Sequence, residues 1–90
     1  MRIENVEIYS DRSNAAVMRH PGRRFPGMLV QGDALSELCR QADLACAEAE
    51  GVLSEDGYGE LDDLREKLRA WLDEYTQVLQ AHGLPLPFPH

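Results

Sequence analysis

Prolines and glycines at positions 21, 22, 26 and 27 cut this chain where one extended segment has to stop and another has to begin. Pro21 has no N–H to give to a β-ladder and keeps His20 extended. Pro26 stands at a strand entry, where proline is tolerated. From Gly32 to His82 there is no further proline, and the apolar spacing changes from two residues to between three and four. The break therefore divides a β-half from an α-half.

In the first half, Val6 and Ile8 alternate with Glu7 and Tyr9, the period of a half-buried strand, and a strand is predicted over residues 3–9. The polar cluster Ser10–Asn14 reads as a turn. Second and third strands are predicted over residues 15–20 and 25–31. Short connections favour an antiparallel meander of the three.

The second half predicts two helices, over residues 33–50 and 60–82. Asp33 is a suitable N-cap for the first, and Gly51 falls near its end. At about 100° per residue, Leu35, Leu38, Cys39, Ala42, Ala45, Cys46, Ala49 and Leu53 fall in one stripe. Ser54–Gly59 reads as a loop. Leu61, Leu64, Leu68, Leu72, Tyr75 and Leu79 give the second helix its apolar face, with Gly83 as a left-handed stop and Pro85 beyond it. In the tail, residues 84–90, apolar residues alternate with proline; Leu84, Leu86 and Phe88 are expected to pack back, the other reading being a polyproline-II ligand.

Ninety residues make one domain, close to the lower limit for an ordinary core. The whole is expected to be α+β: a three-stranded antiparallel sheet followed by an antiparallel helix pair packed on one face. No segment has the ~20 apolar residues of a membrane span and the N-terminus lacks a signal-peptide core, which points to a cytoplasmic protein. Residues 1–31 carry five arginines against three acidic residues, while residues 32–90 carry four basic against thirteen acidic ones, for a net charge of −7. That sign disfavours nucleic acid and anionic membranes as partners and favours a basic protein.

Little in the chain suggests catalysis. Cys39 and Cys46, seven apart on one helix, lie roughly 10 Å apart along its axis, too far for a disulfide. They face the expected core, and no second cysteine pair or nearby histidine completes a metal site. There is no nucleophile elbow, phosphate-cradling loop or cofactor fingerprint. The expectation is a protein that is not an enzyme and uses no metal or cofactor.

Two groups of residues could carry a function. Arg19, His20, Arg23 and Arg24 flank the Pro-Gly turn, where guanidinium groups suit phosphate or carboxylate. Those arginines could instead pair with the acidic helices, or meet a partner. On the helices, Trp71 lies with Val78 at one margin of the second apolar face, and Leu44 lies opposite the first stripe. Trp71 and Leu44, with Asp62, Asp63 and Glu66, are the candidate partner-binding residues, Trp being enriched at binding hot spots.

The stretches Pro21-Gly22-Arg23-Arg24-Phe25-Pro26-Gly27, Val30-Gln31-Gly32-Asp33-Ala34-Leu35 and His82-Gly83-Leu84-Pro85-Leu86-Pro87-Phe88 resemble a family of small bacterial proteins that is a domain of unknown function. The resemblance spans nearly the whole chain, which suggests a complete protein, and implies no activity, ligand or site residue. In size and charge the chain also resembles, more loosely, the acidic immunity partners of bacterial toxins. The leading expectation is thus a non-catalytic, immunity-like or regulatory interaction domain. The alternative is a small-anion or nucleotide-binding domain using Arg19, Arg23 and Arg24. A homodimer through the outer sheet face is compatible with either.

Overall fold

The computed structural model describes residues 1–89; His90, the end of the predicted tail, lies outside the described residues. The protein is α+β, with three antiparallel strands followed by two helices. It divides into two compact units, Met1–Gln31 and Gly32–His90.

The first unit is a meander of β1 (Glu7–Ser10), β2 (Ala15–Arg19) and β3 (Gly27–Val30), with β2 in the centre. β1 begins at Glu7 rather than Ile3, so residues 3–6 add nothing to the ladder. β3 likewise begins at Gly27, after Pro26, because proline cannot donate to β2. Register is regular between β2 and β3, where Ala15, Ala16, Val17 and Met18 face Val30, Leu29, Met28 and Gly27. β1 carries a bulge between Ile8 and Ser10. The β2–β3 connection opens on a tight turn in which Arg23 N–H donates to His20 C=O at 3.1 Å. Pro21 and Gly22 are its central residues, and Gly22 has φ +83°. Proline first and a left-handed glycine second is the requirement of a type II turn.

The second unit is a hairpin of α1 (Gly32–Ala49) and α2 (Glu55–Ala81). Gly51, at φ +77°, ends α1, and Leu53 N–H returns to Ala49 C=O at 3.1 Å. α2 starts five residues before the expected Glu60. Ser54 caps it by accepting from Gly57 N–H at 3.1 Å, and Glu55 and Asp56 favour the positive end of the helix. These signals outweigh the low helix propensity of Gly57 and Gly59. Asp33, expected as the N-cap of α1, stands inside its first turn and accepts from Ala34 N–H at 2.8 Å. α2 ends in a Schellman arrangement around Gly83 (φ +68°), with Leu84 N–H to Leu79 C=O at 2.9 Å and Gly83 N–H to Gln80 C=O at 3.1 Å.

The hairpin core is narrower than the predicted stripes. On α1 the buried and half-buried seam is Gly32, Leu35, Cys39, Ala42, Cys46 and Ala49, spaced alternately by three and four. On α2 it is Tyr58, Leu61, Arg65, Leu68, Leu72, Tyr75 and Leu79, with the same alternation, and Thr76, next to Tyr75, is buried as well. This is the 3.5-residue period of two helices that coil around each other. The seam pairs small side chains on α1 with large ones on α2. A Cβ on Gly32 would collide with the Tyr75 ring, and the Cys46 thiol donates to Leu61 C=O at 3.8 Å. Both contacts fix an antiparallel register. A two-helix seam does not reach Leu38, Ala45 or Leu64, all of which are exposed although the wider 3.6-residue stripe included them. Arg65 stands at a seam position that the predicted apolar face did not include, and its Nε is buried without a hydrogen-bond partner.

The tail turns back in part. Phe88 is half-buried with its ring 6.2 Å from that of Tyr75, and Leu86 is half-buried, whereas Leu84 is exposed.

Leu72 and Leu64 separate the two descriptions of the core, since Leu72 is only 7% exposed and Leu64 52%. Leu72→Ala is expected to cost about 2–5 kcal/mol, and Leu64→Ala to stay within about 0.5 kcal/mol. Urea unfolding of both variants measures this; equal losses would restore the wider stripe.

Candidate functional site

Two surfaces hold the sequence-predicted residues, one in each unit. In the sheet unit the type II turn brings His20 and Arg23 to the rim of a shallow depression of about 390 Å³. Met18, Phe25, Met28 and Leu29 supply its apolar walls. The four basic candidates do not converge there. Arg19 is held across the ladder by Glu7, opposite it in the register, with both Nε and a terminal nitrogen donating to the same carboxylate oxygen. Its partner is therefore on the neighbouring strand. Tyr9 O–H donates to the other Glu7 oxygen at 2.9 Å. Arg24 is placed with its guanidinium carbon 5.2 Å from the centroid of the Phe25 ring. His20 directs Nδ1 at Pro21 C=O, 2.7 Å away. Among the described residues Arg23 forms no ion pair.

In the hairpin, register decides which residues share a surface. Arg69 donates to Asp43 at 2.5 Å, and each follows a seam residue, Leu68 and Ala42, by one position. The residues that precede seam positions must then lie along the opposite flank. Nearest the seam on that side are those three residues past the previous seam position, Leu38 and Ala45 on α1 and Leu64, Trp71 and Val78 on α2. The α2 trio repeats every seven residues and is exposed by 52%, 61% and 48%, with Leu38 at 43%. Trp71, placed by the sequence at one margin of the apolar face, is open to solvent. Bordering positions on the helical wheel hold Glu48, Glu60, Lys67 and Glu74.

The other partner-binding candidates are scattered. Asp62 lies on the Asp43–Arg69 flank and receives Arg65, which also pairs with Glu66 at 3.2 Å. Asp63 and Leu44 fall on the outer sides of α2 and α1, both exposed. Only Trp71 of the five belongs to the apolar flank. Leu38 and Leu64 were missed because a helix read alone assigns them to its buried stripe. The signal that could have found them is the seven-residue recurrence of Leu64, Trp71 and Val78.

The Asp43–Arg69 flank holds a second depression of about 310 Å³, bordered by Cys39, Thr76 and Phe88. Burial pushes the Cys39 thiol pKa up, with Arg69 acting in the opposite sense. A thiol held protonated is a poor nucleophile. Both cysteines are free and buried. Among the described residues no three His, Cys, Asp or Glu side chains gather as metal ligands, and no helix is long and apolar enough to cross a membrane.

The Arg19 hydrogen bond, then that of Tyr9, lowers the Glu7 pKa below its ordinary value. A carboxylate depressed in the folded state contributes its full stabilisation above the unfolded value and loses it as pH falls through the folded one. The sheet should therefore weaken on acidification below about pH 4. In Arg19→Gln the Glu7 midpoint, followed by carboxyl NMR, is expected to move up toward the ordinary value. An unmoved midpoint would remove Arg19 as the cause.

No curated protein and no solved structure matches the chain. A family model matches residues 1–88, so nearly the whole chain, sheet, turn and hairpin included, belongs to DUF6959, a family of unknown function.

Proposed function

We propose that this protein is a non-catalytic interaction domain whose acidic helical hairpin receives a basic amphipathic helix of another protein. The observation that carries this reading is the exposed row Leu64, Trp71 and Val78 on α2, aligned by the hairpin register with Leu38 on α1. An apolar row along two coiled helices is the surface a third helix packs against, with anchors at i and i+7. Exposed apolar rows rimmed by polar residues mark interaction sites.

Charge selects the partner. Residues 32–90 carry thirteen acidic residues against four basic ones, and Glu48, Glu60 and Glu74 border the row. Complementary charge speeds encounter and suppresses wrong partners, while the buried aromatic anchor supplies most of the affinity. The anchor is Trp71, without the Asp62, Asp63 and Glu66 carboxylates expected to act with it. Asp62 and Glu66 are already engaged by Arg65. A regulatory or immunity-like role is consistent with such a surface.

The alternative reading, an anion site at the Pro-Gly turn, draws on Arg23 and His20 alone. Glu7 already neutralises Arg19, and Arg24 is stacked on Phe25.

Trp71 is the single tryptophan, so its emission reports on the row directly. Titration with a Leu/Lys heptad peptide is expected to shift that emission to the blue, saturably and less at high salt. A Leu/Glu peptide of the same pattern is expected to leave it unchanged. By calorimetry, Trp71→Ala should bind the basic peptide at least about tenfold more weakly, as for a hot-spot residue. Equal binding by wild type and Trp71→Ala would overturn the proposal.

A further inference from the structure

The two edges of the sheet are unlike in a way that bears on assembly. Every three-stranded sheet leaves two strands with one row of unpaired backbone groups, a template for another chain. β1 is guarded against such pairing. It carries Glu7, whose carboxylate holds Arg19, and a bulge between Ile8 and Ser10 that breaks its regularity. β3 has neither device. Its sequence is Gly27-Met28-Leu29-Val30, without charge, proline or bulge, in unbroken register with β2. All four residues are exposed, Met28 by 63%.

We propose that β3 pairs antiparallel with β3 of a second copy about a two-fold axis, joining two three-stranded sheets into one of six strands. The occupant follows from charge and symmetry. A two-fold antiparallel contact sets the same short segment against itself, so it is self-complementary only where that segment carries no like charges. β3 meets this condition; β1, with Glu7, would set carboxylate beside carboxylate. The acidic excess of the chain lies in residues 32–90, while residues 1–31 carry five arginines against three acidic residues. The sheet unit thus does not share the net repulsion that opposes self-association elsewhere in the chain. This association is independent of the partner site on the hairpin, because it uses backbone groups of another unit.

Sedimentation velocity over a rising series of concentrations tests it. The mass is expected to climb from the 10.1 kDa of one chain toward twice that value. Met28→Lys, which sets two ammonium groups into the shared row, is expected to remain a single chain at the same concentrations. In the wild type, hydrogen exchange at the outward amides of Met28–Val30 should slow as the dimer fills, while the amides of Ile8 and Tyr9 keep their rates. A single chain at every concentration would overturn the proposal. So would a dimer that leaves β3 exchange unchanged, or one that Met28→Lys forms equally well.

Discussion

The close approach of α1 to α2 along a seam of small against large side chains is the contact on which the helical half depends. Gly32 admits the Tyr75 ring where any Cβ would collide with it, and Cys39, Ala42, Cys46 and Ala49 continue the small side of the seam. Leu61, Leu68, Leu72 and Leu79 fill it from the other side. Such packing sets the register, and the Asp43–Arg69 ion pair then falls on one flank. Everything else about the hairpin surface follows from that alignment. The Leu64, Trp71 and Val78 row is exposed because a two-helix seam with a 3.5-residue period has no place for it.

The same narrowness explains which parts of the structure the sequence disclosed. Element type was legible throughout. Alternation in Val6–Tyr9, the Pro-Gly punctuation at 21–27 and the Gly83 stop each have one dominant physical reading, and each corresponds to the observed strand, turn or helix end. The start of α2 was not legible, because glycines at 57 and 59 suggest a loop and only the Ser54 cap shows that the helix begins before them. Burial was legible for Cys39, Cys46 and Leu72 but not for Leu38 or Leu64, since a helical wheel shows a face and not the partner that covers it.

The candidate sites were legible as residues and not as arrangements. The basic turn was located correctly, yet its arginines have three different surroundings: Glu7 for Arg19, the Phe25 ring for Arg24, and the rim of an apolar depression for Arg23. Trp71 was found with Val78, whereas the acidic residues chosen to accompany it lie elsewhere on the helix. Side-chain pairing across strands and register between helices are set by tertiary contacts, which a single sequence does not display.

With a seven-residue seam period, Trp71 stands in water in the free protein. Its native fluorescence, with acrylamide quenching, tests that claim most directly. An emission maximum close to that of the urea-unfolded chain is expected, with quenching nearly as efficient in the two states. A blue-shifted native emission protected from acrylamide would contradict it, placing Trp71 in a covered core and removing the surface on which the proposed function rests.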